Sequence, residues 1–267
     1  MSSVQRSRNH RGCLSEEPWL IAKLQDITPF QLGKATTYIR EFLFSMNFDE
    51  VVLSPLETHP ISYQNNTIDI EEIGQLRFNT EPEIWESSNF SNRYYSISPL
   101  FRKELIVNCL RRSAFFIVDV YQPGTPDTML SIFHGILSKL GDKGFTQKLS
   151  TLPFGTARYD PSNDGPSGRF EETQWVITSG YDEGHSFFEV DEHGHSTRRE
   201  IFLVTRFGFL EVGVLGITGW NRNRQYIMRE PKDNEIIPDL GRSGICIGLE
   251  RLLLAEQIVS IVRTSDE

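Results

Sequence analysis

The stretch Gly244-Ile245-Cys246-Ile247-Gly248-Leu249-Glu250-Arg251-Leu252-Leu253-Leu254-Ala255-Glu256 reads as a strand that runs straight into a closing helix. Its glycines let the strand lie close against a ligand or a neighbouring backbone. Arg251 falls on the first turn of an otherwise apolar helix, among Leu249, Leu252, Leu253 and Leu254. A guanidinium there cannot be buried without a partner. Taken alone, a structural carboxylate serves as that partner as well as a bound anion does.

A second stretch has the same dual character. Leu100-Phe101-Arg102-Lys103-Glu104 is followed, after a short segment, by Arg111-Arg112-Ser113-Ala114-Phe115-Phe116-Ile117-Val118-Asp119. Two strands joined by a loop would place arginines beside an acid and an aromatic ring, a combination that can hold a phosphate by paired hydrogen bonds and stack on a purine. In isolation an Arg-x-Glu on a hairpin is more often a surface ion pair.

Around these stretches the patterning is that of an α+β protein, an antiparallel sheet flanked by helices. Residues 16–26 have helical spacing. Thr28-Pro29 then restarts the chain, and Ile39, Phe42, Leu43 and Met46 mark a long amphipathic helix over 30–46 that ends at Asn47. A strand is expected over 48–55, closed by Pro55, and further short strands over 76–79, 94–97 and 115–121. A second helix spans 129–140. Residues 159–168, with Pro161, Asn163, Asp164, Gly165, Pro166 and Gly168, read as the clearest loop, and 174–178, 185–190 and 201–214 as strands.

The chain has 267 residues, 38% hydrophobic and 11% aromatic, enough to bury a sizeable core in one large domain over 28–267, behind a tail and short helix over 1–27. No run approaches the roughly 20 apolar residues that cross a bilayer, and the polar, basic N-terminus has no secretory pattern, so a cytoplasmic protein without a membrane partner is expected. The three cysteines, Cys13, Cys109 and Cys246, read as free thiols. His185, His193 and His195 are read as a solvated hairpin tip rather than a metal site. The net charge of −9 argues against a general nucleic-acid surface, and Arg6, Arg8 and Arg11 are taken as a disordered tail.

Together the two stretches resemble the second and third signature motifs of class II aminoacyl-tRNA synthetases, in particular the lysine, aspartate and asparagine subgroup. Tyr38-Ile39-Arg40-Glu41-Phe42-Leu43 through Ser54-Pro55-Leu56-Glu57-Thr58 looks like the first motif, so the resemblance covers about residues 28–257 with all three motifs in order. It implies a homodimer built on the first motif, with ATP and Mg2+ as cofactors. Arg102 and Arg251 would be catalytic on the α- and γ-phosphates, and Glu104, Arg111 and Phe115 would complete the ATP site, with Phe115 stacked on adenine. Asn79-Thr80-Glu81-Pro82-Glu83-Ile84-Trp85 is similar to the family's Thr-Ser-Pro-Glu segment, which gives Glu83 the substrate ammonium group. Gln122 and Arg222 join it as substrate contacts, and Asp119 and Glu211 are candidate metal ligands.

The chain also departs from the family. Ser113-Ala114-Phe115-Phe116 stands where the family has Pro-Glu-Phe-Thr, and Cys246 replaces a glycine. Leu215 occupies the place of a metal-binding glutamate, for which Glu211, two alternations away, is the expected substitute on the same strand face. The subgroup's anticodon-binding barrel has no counterpart. The expectation is therefore a freestanding core, similar to asparagine synthetase. It would activate an amino acid or related carboxylate as an acyl-adenylate and pass it to a small-molecule or protein acceptor, forming an amide or ester, without binding bulk tRNA. A tRNA-charging enzyme and a catalytically silent regulatory protein are the alternatives. Residues 181–189 resemble the segment near the family's side-chain pocket without declaring the amino acid.

Overall fold

The chain commits to its first long helix at Thr28, whose hydroxyl accepts a hydrogen bond from the Gln31 N–H while the Gln31 side chain accepts from the Thr28 N–H. This reciprocal cap, with Pro29 supplying a first turn that needs no N–H, fixes the start of helix α2 (Pro29–Ser45). The helix stops where Asn47 takes a left-handed φ of 59°. In the computed structural model, residues 12–57, 67–78, 80, 93–123, 125–179, 198–218 and 242–265 are described. Among the described residues before α2 lie a 3-10 turn at Leu14–Glu16 and one short α-helix, α1 (Pro18–Ile21), so the helical spacing over 16–26 is realised in a single α-helical turn.

The centre is a nine-stranded mixed sheet ordered β1-β4-β5-β11-β10-β9-β8-β6-β7. These strands are β1 (Asp49–Glu50), β4 (Tyr94–Phe101), β5 (Ala114–Pro123), β6 (Phe154–Asp160), β7 (Gly165–Pro166), β8 (Gln174–Ser179), β9 (Arg199–Thr205), β10 (Gly208–Thr218) and β11 (Arg242–Gly248). Strands β4 through β8 in that order pair antiparallel, as expected from the sequence, but β1 joins β4 and β6 joins β8 in parallel. A separate two-stranded ribbon joins β2 (Asp69–Ile70) to β3 (Gly74–Gln75).

Helices α2, α3 (Pro126–Asp142) and α4 (Leu249–Thr264) cover one face of the sheet and share its main core. Alternation along the strands sorts residues cleanly. Val118, Val120, Ile245 and Ile247 enter the helical core, while Asp119, Ser96 and Cys246 share the opposite face in register. Leu14, Leu20 and Ile27 from the segment before α2 belong to the same core.

Several sequence expectations are corrected. The strand expected over 48–55 is ladder-paired only at β1. Residues 159–168 are a tight hairpin rather than an open loop, with Tyr159 opposite Pro166 and Asp160 opposite Gly165. The run over 201–214 is two strands folded back on each other, because Gly208 adopts a φ of 146° that a side chain would resist, and a Cβ there would meet the Gly12 carbonyl at 2.1 Å. The strand expected over 185–190 and the three-histidine group lie outside the described residues.

Candidate functional site

The face of the sheet opposite the helices holds a cavity of about 230 Å³ where β5, β11 and β10 meet the start of α4. Gly213 allows the strands to close here, since a Cβ on it would come within 2.5 Å of the Cys246 carbonyl. Arg102, Glu104, Phe115 and Arg251, four residues picked out in sequence, all line the cavity.

Arg102 is the unusual group. Its guanidinium lies over the rings of Phe78 and Phe115, at 4.8 and 5.3 Å from their centroids. Its Nε is buried without a hydrogen-bond partner, and among the described residues no acidic side chain forms an ion pair with it. Burial pulls its pKa down, against the more distant Glu211 and Glu104 carboxylates that hold it up. A desolvated cation without an anion is costly, and such a group is stabilised by any anion that enters.

Arg251 is held differently. Its Nε donates to the Leu110 carbonyl at 3.0 Å, and its Nη1 to the Glu211 carbonyl at 3.3 Å and carboxylate at 3.4 Å. Beside it on the first turn of α4, the buried Glu250 carboxylate accepts the Phe116 N–H at 2.9 and 3.1 Å, and burial raises its pKa. This bond ties helix α4 to β5, so Arg251 and Phe115 are set relative to each other by the backbone.

Arg111 does not reach the cavity. Its guanidinium binds the Ser15 hydroxyl at 3.0 Å and Glu16 at 3.2 Å, and Arg112 lines the cavity instead, paired with Asp26 at 2.6 Å. Gln122 shares the strand face of Val118 and Val120, so alternation turns it to the helical side, away from Asp119. Glu83 and Arg222 lie outside the described residues.

The two candidate metal ligands are not brought together. Asp119 is buried, accepts a hydrogen bond from the Thr80 hydroxyl, and has its second oxygen unpartnered; burial raises its pKa to about 6, against the Thr80 hydroxyl, the Cys246 thiol and Arg102. Glu211 is joined to Arg251. Among the described residues no group of three or more His, Cys, Asp or Glu side chains is placed to hold a metal ion.

Leu215 was expected to share a face with Glu211. A bulge between Glu211 and Gly213 breaks the alternation, so Glu211 faces the cavity while Leu215, 1% exposed, sits in the helical core. Leu215 is therefore a core residue of this fold. Sequence reasoning passed over Arg112 and Glu250, although both stand beside residues it selected.

The nine-stranded sheet with its flanking helices has the fold seen in solved asparaginyl-tRNA synthetases, which are class II enzymes. Among solved structures, asparaginyl-tRNA synthetase from Pyrococcus horikoshii complexed with asparaginyl-adenylate superposes with a TM-score of 0.65 at 14% identity, over 89% of this chain and 65% of that one. Asparaginyl-tRNA synthetase from Entamoeba histolytica in complex with asparaginyl-adenylate gives 0.60 at 12% identity, over 84% and 62%. The chain thus spans under two thirds of the length of these proteins. No protein-family model and no curated protein matches the sequence. Among the described residues no helix is long and apolar enough to cross a membrane.

Proposed function

We propose that the protein uses ATP to activate an amino acid or related carboxylate as an acyl-adenylate and passes the acyl group to an acceptor other than bulk tRNA. The observation that carries this reading is Arg102, a half-buried guanidinium that lies over two aromatic rings with its Nε sealed from solvent and without a carboxylate of its own, in a cavity shared with Arg112 and Arg251. A substrate carboxylate oxygen attacks the α-phosphorus, the bond to the bridging oxygen breaks, and pyrophosphate leaves. Charge that develops on the phosphoryl oxygens falls to Arg102, and Arg251 turns from its Glu211 carboxylate partner to hold the γ-phosphate. Phe115 gives the adenine a stacking face. Were Mg2+ to enter with ATP, Glu211, which the structure pairs with Arg251, would be the carboxylate that helps to hold it, and the ion would neutralise phosphate charge.

The adenylates bound in the two asparaginyl-tRNA synthetases make aspartate-like and asparagine-like acids the first substrates to try. The choice of acceptor is supported by the net charge of −9 and by the rim of the cavity. There Arg111 and Arg112 are already paired with Glu16 and Asp26, and Leu105, Ile106 and Val107 stand exposed at the hairpin tip. Nucleic acid binds through free cations, and these two are engaged in ion pairs. We further propose a homodimer through the α2 and β1 face and a cytoplasmic location.

Pyrophosphate exchange into ATP, measured over a panel of amino acids and related acids, tests the reading. One acid should support exchange, and Arg102→Ala should slow it by about 10²–10³. Labelled amino acid appearing on tRNA would overturn the choice of acceptor and leave activation standing.

A further inference from the structure

We infer that Phe78 is a positioning residue that holds Arg102 in the orientation needed for phosphate, and that a buried Glu57–Arg77 pair sets Phe78 in turn. The inference rests on the reading of Arg102 as the phosphate-binding arginine. It begins with Arg77, which is fully buried. The Arg77 side chain donates to the carbonyl oxygens of Ser54 and, at 3.0 Å, Leu56, and lies 3.6 Å from the Glu57 carboxylate. Its backbone N–H bonds the Pro55 carbonyl at 2.8 Å, and its carbonyl accepts the Phe101 N–H at 2.8 Å. Residues 76–78 are thus fixed between the segment after β1 and the end of β4.

Glu57 completes the arrangement by accepting the Phe78 N–H at 2.7 Å. The carboxylate that neutralises Arg77 therefore also fixes the backbone from which the Phe78 ring projects over Arg102. The Arg102 Nε has no hydrogen-bond partner, and among the described residues no acidic side chain pairs with the guanidinium, so the two ring faces are the contacts that orient it. Of these, Phe115 is the ring proposed for the adenine. Phe78 is the other wall, outside the set of residues that line the cavity, and it keeps Arg102 in place when ATP binds.

An aliphatic replacement of similar size separates ring electrostatics from packing. Phe78→Leu should weaken ATP about tenfold by calorimetry, the scale of one desolvated cation–π contact, with thermal stability largely kept. Phe78→Tyr, which keeps the ring, should retain wild-type affinity. The Nε–Hε resonance of Arg102, assigned by its loss in Arg102→Lys, should lie upfield under the ring currents and move downfield in Phe78→Leu. Should Phe78→Leu fail to fold, Phe78→Met takes its place in both measurements. If wild type binds ATP and Phe78→Leu binds it equally with an unmoved resonance, the positioning role is wrong and the activation reading stands. If wild type binds no ATP yet the resonance moves as described, the clamp on Arg102 stands and the activation reading falls.

Discussion

Arg102 and Arg251 line one cavity in opposite states, and the difference predicts how each responds to substitution. Arg251 already has carbonyl and carboxylate partners, so Arg251→Ala frees Glu211 as well as removing a phosphate contact. Its loss should cost about 10²–10³ in the exchange rate, and a fully active variant would remove it from the mechanism. Phe115→Ala should weaken ATP by about 1–3 kcal/mol if adenine stacks there, as calorimetry would report. Asp119 offers a test by pH. Its folded-state carboxyl keeps its proton to about pH 6 against an ordinary value of 3.8, so between those values the folded protein binds more protons than the unfolded one. Stability therefore falls as pH rises through that window, by up to about 3 kcal/mol from this group, and Asp119→Asn should remove that part of the slope in urea unfolding. A parallel pH profile for the two proteins would contradict the burial account. That Arg102, Glu104, Phe115 and Arg251 share one cavity was legible because the two motifs that hold them stand in order along the chain. The exchange of Arg111 for Arg112 was not, since their partners Glu16 and Asp26 lie far away in the sequence, in a segment read as a tail and short helix.

Among the elements, helix α2 was legible almost to its ends. Thr28, Pro29 and Gln31 form a local cap whose chemistry is complete within four residues. Thr28→Ala should lower stability by about 1 kcal/mol in denaturant titration, and an unchanged midpoint would mean that the cap contributes nothing net. Strand β10 was misread because a bulge adds one residue without changing composition, and every face assignment beyond it reverses. The same bulge makes Leu215→Glu informative. If Leu215 stood in a metal site, the glutamate would restore a ligand; in the helical core it should destabilise the fold by more than about 4 kcal/mol, read by urea unfolding. The hairpin over 159–168 hid behind loop-forming residues, since its pairings involve only Tyr159 with Pro166 and Asp160 with Gly165.

At the scale of the whole molecule, Phe44 and Val52 expose 77% and 85% of their surface around the end of α2 and the segment after β1. Exposed apolar groups so placed are expected to meet a second copy. Sedimentation at micromolar concentration should give a dimer, and Phe44→Asp should shift it toward monomer; a monodisperse wild-type monomer would count against the assembly. The α+β architecture was legible because the three motifs follow in order along one chain, whereas the parallel edges contributed by β1 and β6 depend on distant pairings that no local pattern announces. The central claim is activation of a carboxylate by ATP, and its most direct measurement is pyrophosphate exchange with wild type and Arg102→Ala over a panel that begins with aspartate and asparagine. The account predicts exchange dependent on a single acid in the wild-type protein and its near-complete loss in the variant. Folded wild-type protein that neither binds ATP nor exchanges pyrophosphate with any acid in the panel would contradict it.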